Sequence, residues 1–273
     1  KKKKQQILTI AGSDSCGGAG IEADIKTISA LGCYASVAIT AVTAQNTLGV
    51  RSICKVTPDV VADQIAAVMD DLHPQAIKVG MVNDAETIRA IATTLCRYPL
   101  PPMIIDPVMV STSGSRLMEP DALSLFQATL LPLSTLLTPN IPEAELLAGR
   151  PIHGLEDMKA AARQILQMGP KAVLVKGGHG QGREKTDLLL IDGSFHTFSS
   201  ATISTRNTHG TGCTLSSAIA SFVARGQGIC EAVASAKAYL YEALRAGADV
   251  SVGEGHGPVN HFYDPQPLIL TEQ

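Results

Sequence analysis

A chain of 273 residues that is 45% hydrophobic, 17% charged and of formal net charge −3 can bury a sizeable core, and it carries no basic stripe beyond its first four lysines. That balance argues against nucleic acid as a main partner, and the lack of an uninterrupted apolar run of about 18 residues argues against a spanning helix and a membrane partner. Six cysteines at 16, 33, 54, 96, 213 and 230 form no C-x-x-C pair and no His/Cys cluster with zinc spacing, which reads as reduced thiols in a cytoplasmic protein.

Residues 1–6 read as a frayed, solvated tail. Residues 7–10 then form a short apolar strand, residues 12–20 a glycine-rich loop and residues 21–31 a helix. Residues 34–43, small and β-branched, predict a strand. Residues 58–72 have apolar positions at helical spacing and start after Thr57, a suitable N-cap. Residues 76–79 predict a strand and 85–96 a helix. Residues 103–106 predict a strand that ends in an acid before Pro107. Residues 133–137 form a strand running into Thr138-Pro139-Asn140, and helices follow at 141–148 and 155–168. Residues 172–175 are a continuous apolar strand ending in Lys176-Gly177-Gly178. Residues 188–191 and 195–198, joined at Asp192-Gly193, read as a hairpin. Two alanine-rich helices, 211–225 and 229–246, complete the pattern. Strands that are apolar throughout and alternate with helices imply an α/β fold in three layers, α/β/α, around a central, mostly parallel sheet. No repeat or Pro/Ser-rich linker divides the chain, so residues 1–273 read as one domain.

In such a sheet, ligands bind outside the carboxyl edge. The strand ends carry Gly12 and Ser13, Gly80, Asp106, Asn140 and Lys176, which should therefore converge on one cleft. The loop of residues 11–20 lacks both the G-x-G-x-x-G register and the G-K-[ST] ending. It is either a plain strand-to-helix turn or one wall of a small-molecule pocket. Gln45 has an amide that both donates and accepts, which suits an aminopyrimidine edge. Asp24 is the second candidate for reading a polar ring; both are otherwise ordinary polar surface residues. Asp106 is a turn-former or a carboxylate aimed at Mg²⁺. Asn140-Ile141-Pro142-Glu143 is a capping pattern, and Glu143 is also a candidate for the same Mg²⁺. Lys176 is a phosphate contact or a snorkelling lysine.

Thr208-His209-Gly210-Thr211-Gly212-Cys213-Thr214 places two glycines and a thiol where a helix begins. The first amides of a helix lack internal partners and carry the positive end of its dipole, so Gly210, Thr211 and Gly212 form a candidate phosphate hole. Cys213 beside it has three readings: an inert small residue, a covalent nucleophile with His209 as base, or a base or orienting group for a substrate hydroxyl. A helix N-terminus lowers a thiol pKa, and a drop of roughly 1.5 units would leave it about half ionised at neutral pH. The loose transition state of phosphoryl transfer needs little base strength, which favours the last reading.

These segments, together with Ala11-Gly12-Ser13-Asp14, Gly17-Gly18-Ala19-Gly20, Ala44-Gln45-Asn46-Thr47, Lys78-Val79-Gly80-Met81, Asp106-Pro107-Val108-Met109 and Lys176-Gly177-Gly178-His179, occur in one order along nearly the whole chain. In that order they resemble the bacterial hydroxymethylpyrimidine/phosphomethylpyrimidine kinases of thiamin biosynthesis, in the ribokinase-like superfamily. The resemblance implies ATP with Mg²⁺ and two successive phosphorylations, first of 4-amino-5-hydroxymethyl-2-methylpyrimidine and then of its monophosphate. It implies Gln45 and Asp24 facing the pyrimidine, with Gly12, Ala19 and Met81 around it. Gly210, Thr211 and Gly212 would form the anion hole, and Asp106 and Glu143 would lie near Mg²⁺. Lys176, Gly178 and Asn140 would lie on the nucleotide side. Relatives also suggest a homodimer. Cys213 stands where most sugar kinases of the superfamily have an aspartate base, which matches the vitamin-kinase branch. Ser111-Thr112-Ser113-Gly114 occupies a loop where relatives often have a lysine.

The nearest rival is a pyridoxine/pyridoxal kinase of the same fold, since a thiol beside an aldehyde can form a hemithioacetal. Two other classes remain: a cysteine hydrolase using Cys213 and His209, and a binding protein that takes the pyrimidine without turnover.

Overall fold

The computed structural model describes residues 1–110, 117–177 and 182–272. In chain order the elements are β1 (Lys2–Lys4), β2 (Gln6–Asp14), α1 (Gly20–Ala30), β3 (Tyr34–Asn46), β4 (Gly49–Lys55), α2 (Pro58–Asp71), β5 (Ala76–Val79), α3 (Ala85–Leu95), β6 (Met103–Ile105), α4 (Pro120–Thr129), β7 (Leu136–Leu137), α5 (Ile141–Ala148), α6 (Leu155–Leu166), β8 (Ala172–Val175), β9 (Glu184–Ile191), β10 (Ser194–Ala201), α7 (Thr211–Ala224), α8 (Ile229–Gly247) and β11 (Leu270–Glu272). Among the described residues, nine strands form one sheet in the order β10-β9-β8-β7-β6-β5-β2-β3-β4. Its centre, β3 through β8, is parallel, and antiparallel β4 and β9 flank it.

Alternation along the short central strands fills two cores. Ile77, Val79, Met103, Ile105, Val173 and Val175 point into the core covered by α2 to α6. Ile7, Ala76, Ile104, Leu136, Ala172 and Leu174 point into the core covered by α1, α7 and α8. Helix α7 is buried from Thr214 through Phe222 and packs against β2, β5 and β6. Its apolar surround explains why the sequence there is alanine-rich: small side chains let the helix lie close against the sheet. Burial of Leu215, Ile219 and Phe222 alone stabilises by about 1.5–3 kcal/mol each.

Two predicted features change. The lysine-rich N-terminus is solvent-exposed but not frayed, because β1 pairs antiparallel with β11 in a separate two-stranded sheet. The strand after the glycine-rich loop runs on to Asn46 and turns back as β4, so Gln45 lies inside a strand. Every residue of β4 is exposed, so no apolar alternation marks it.

Candidate active site

The carboxyl ends of β5, β2 and β3 lie side by side, and so do those of β6, β7 and β8. Helix α7 starts beneath them. Gly210 caps it with φ +80°, and no side chain caps it among the described residues. The Thr211 N–H turns back to the Thr208 carbonyl at 3.3 Å, and Thr214 N–H makes the first bond to Gly210 O at 2.9 Å. Among the described residues nothing accepts from the Gly210, Gly212 and Cys213 amides, and Thr211 is only partly engaged, so these amides are placed to take an anion. Gly210 must be glycine: a Cβ there would lie 1.8 Å from Gly18 O.

Asp106, Lys176 and Glu143 meet at this helix start. Lys176 Nζ lies 3.2 Å from Asp106 Oδ1, which also accepts from Thr138 Oγ1 at 3.1 Å. A Cβ on Gly212 would lie 3.2 Å from Asp106 Oδ2 and 3.8 Å from Lys176 Nζ. Glu143 and Asn140 form a complete capping box on α5, and Glu143 Oε2 also accepts from Met109 N–H at 3.0 Å. Burial, and then the Asp106 charge, push the Glu143 carboxyl up to about 7. The Asn140 amide oxygen is spent on the cap, with Glu143 N–H at 2.9 Å, and Asn140 bridges to Lys176. Gly178 and His179, like Ser111-Thr112-Ser113-Gly114, lie outside the described residues.

On the other side, Asp14 organises the glycine-rich loop. Its Oδ1 accepts from Cys16 N–H at 2.8 Å, and its Oδ2 accepts from Ala19 N–H at 2.9 Å and Gly18 N–H at 3.2 Å. His209 Nε2 lies 2.8 Å from the same Oδ2, so the loop is tied to the turn that leads into α7. Gln45 has its main chain clamped by Ser15 Oγ, at 2.7 Å from its N–H and 2.6 Å from its carbonyl, while Thr43 Oγ1 donates to its side-chain oxygen at 3.2 Å. Gly12 and Ala19 are half-buried near the end of β2, and Met81 is half-buried just after β5.

Asp24 is placed differently from the sequence expectation. It is fully buried beneath the site, where Lys78 Nζ donates to both of its oxygens at 2.8 and 2.9 Å and Thr9 and Ser217 hydroxyls fill the rest. It has no surface to offer a ring. Burial alone would lower the Lys78 ammonium, but Asp24 raises it above the usual lysine range, so the pair stays charged. Sequence reasoning missed this pair, although one signal was present: a lone lysine in the otherwise apolar β5.

Cys213 lies one helical turn before Ser217, on the α7 face that meets Asp24. Gly20, one turn before Asp24 on α1, puts its N–H against the thiol. Burial pushes the thiol above its ordinary value; Lys78 and Gly20 pull it down, while Asp24 and Asp106 push it up. Taken together, these surroundings raise the thiol and so act against the lowering expected from the helix terminus.

A family model described as phosphomethylpyrimidine kinase matches residues 14–260. The hydroxymethylpyrimidine/phosphomethylpyrimidine kinase of Rhizobium meliloti (strain 1021) is 50% identical over 94% of this chain and 96% of its own. The crystal structure of phosphomethylpyrimidine kinase from Clostridium difficile 630 superposes with a TM-score of 0.80 at 46% identity, covering 88% of this chain and 100% of that one. The pyridoxal kinase of Staphylococcus aureus in complex with AMP-PCP superposes with a TM-score of 0.87 at 32% identity, covering 95% of this chain and 94% of that one.

Proposed function

The chain belongs to the phosphomethylpyrimidine kinase family, and from that premise we propose that it moves the γ-phosphoryl group of ATP to the hydroxymethyl oxygen of 4-amino-5-hydroxymethyl-2-methylpyrimidine. A second transfer, to the resulting monophosphate, then gives the diphosphate for thiamin biosynthesis. It is a phosphotransferase with the ribokinase-like fold. The observation that carries the reading is the meeting of Lys176 and Asp106 with Gly212 at the start of α7, which no side chain caps among the described residues. An ammonium and unpaired amides at one corner favour a travelling, negatively charged PO₃ group, and positioning with charge stabilisation is most of what phosphoryl transfer needs.

The roles follow from position. Gly212 and Cys213 amides, with Thr211 and the Gly210 turn, hold the migrating group. Lys176 draws the donor phosphates toward it, next to Asn140. Gln45 reads the aminopyrimidine edge, with Gly12, Ala19 and Met81 lining the ring. The Cys213 thiol orients the acceptor alcohol; its proton leaves to solvent or phosphate late in the reaction. The donor set also fits Mg²⁺, because two buried carboxylates beside one ammonium leave a net negative corner with hard oxygen ligands. Asp106 would hold the ion or its waters, and Glu143 would stand behind it. Bound there, the ion would neutralise charge on the phosphates. A cytoplasmic homodimer is the setting that the family resemblance suggests.

The overall shape favours pyridoxal as a second substrate class, since the pyridoxal kinase superposes at least as well. Sequence identity and Gln45 favour the pyrimidine. The deciding experiment is an ATP-dependent assay of both vitamins, following products by mass. Mono- and diphosphate of the pyrimidine are expected in succession. A tenfold or greater preference in kcat/KM for pyridoxal would reverse the assignment, and ATP-independent turnover would point to a hydrolase.

A further inference from the structure

We propose that Asp14, Cys16 and His209 form a site for a thiophilic divalent cation of the zinc class, distinct from the Asp106 corner. The sequence spacing gives no hint of it, because His209 is 195 residues from Asp14. Folding brings one carboxylate oxygen, one thiol sulfur and one imidazole nitrogen within 4.8 Å of one another. Asp14 is buried, whereas Cys16 and His209 are half-exposed, so the cluster is partly enclosed yet open to an ion from solvent. An O, S, N set is wrong for Mg²⁺ and right for Zn²⁺ or Co²⁺, and three protein ligands leave a fourth position for water.

Ligand atoms about 2.0–2.3 Å from a tetrahedral ion lie roughly 3.3–3.7 Å apart. The His209–Asp14 pair at 2.8 Å must therefore open by roughly half an ångström or more. Asp14 is buried at the end of β2, whereas His209 lies in the turn before α7, so the shift falls mainly on the His209 side. The ion takes the place of the shared proton. Cys16 loses its thiol proton to buffer, and the imidazole proton moves from Nε2 to Nδ1 through solvent, so the ring stays neutral; no electron moves. Occupancy would replace a hydrogen bond with a clamp between the glycine-rich loop and the turn at the start of α7. Resting on the kinase reading, that clamp inhibits turnover by fixing the mouth of the acceptor cleft.

The test is titration of metal-free full-length protein with Co²⁺ in excess Mg²⁺, following the thiolate-to-cobalt charge-transfer absorption. One equivalent with that band is expected. Cys16→Ser should abolish the band, and His209→Gln should keep it while weakening binding at least tenfold. Cys213→Ser should leave it intact. No band in the parent protein, or a band that survives Cys16→Ser, overturns the proposal. Should His209→Gln fail to fold, Cys16→Ser decides alone. In parallel, Zn²⁺ should inhibit pyrimidine phosphorylation by the parent at concentrations that spare Cys16→Ser. Equal inhibition of both refutes the clamp. A protein that phosphorylates no pyrimidine contradicts the kinase reading but leaves the cobalt result standing.

Discussion

Gly212→Ala adds one methyl group at the second residue of α7. Its Cβ would lie 3.2 Å from Asp106 Oδ2 and 3.8 Å from Lys176 Nζ, so the carboxylate has to yield by a few tenths of an ångström. Gly212 does not have a positive φ, and alanine is the better helix former by about 1 kcal/mol. The fold should therefore keep or slightly raise its melting temperature. The methyl instead intrudes where the migrating phosphoryl group belongs. Misplacing reacting atoms by about 1 Å costs about 100-fold in rate, or about 2.7 kcal/mol at 1.36 kcal/mol per tenfold. Initial rates of ADP release at saturating ATP and pyrimidine, with a thermal melt of the same sample, separate the two effects. An undiminished melting temperature with rates within twofold of the parent would refute the placement. Gly210→Ala is less informative, because a Cβ 1.8 Å from Gly18 O would disrupt the loop itself.

Lys78→Met strands Asp24 as a buried, unpaired charge and should cost about 3–5 kcal/mol, lowering the melting temperature by about 10 °C; adding Asp24→Leu should recover most of it, and a double variant no better than Lys78→Met would refute the ion-pair account. For Cys213, iodoacetamide alkylation should show a pH midpoint above the ordinary thiol range, and Cys213→Ser should stay within about tenfold of the parent rate because a hydroxyl can also orient the alcohol. A low midpoint together with an inactive serine variant would restore the base role. Glu143, pushed up to about 7, is about half protonated near neutral pH. A divalent cation favours the ionised carboxylate, so binding of Mg²⁺ with nucleotide should release up to about half a proton at pH 7 and progressively less as pH rises above that. Calorimetry in buffers of differing ionisation enthalpy measures this, and proton uptake would contradict it.

Much of this architecture was legible because buried strands carry their signal locally. Residues 76–79, 141–148 and 172–175 match the sequence reading to the residue, since each is a short apolar run or a capped helix. Residues 49–55 gave no signal because all of β4 faces solvent. Helix α4 also went unread: within it only Ala122 and Phe126 are buried, too few to set a helical period. In the site, the strand-end rule correctly gathered Asp106, Asn140 and Lys176. It could not tell a side chain that faces a ligand from one that faces inward. Asp24, on α1, reads from the sequence as a ring contact or an ordinary surface residue, because its partner Lys78 is 54 residues away, a pairing only the fold reveals. For Cys213, the helix dipole is a local effect that sequence shows, whereas burial and the two acids that push the thiol up come from other strands and helices.

The most direct test is a crystal structure of the protein with ADP, Mg²⁺, aluminium fluoride and the hydroxymethylpyrimidine. The account predicts the fluoride cluster within hydrogen-bond distance of the Gly212 and Cys213 amides, with Lys176 on its donor side and the pyrimidine hydroxymethyl group beside the Cys213 sulfur. A cluster bound elsewhere, with those two amides facing only water or protein, would contradict it.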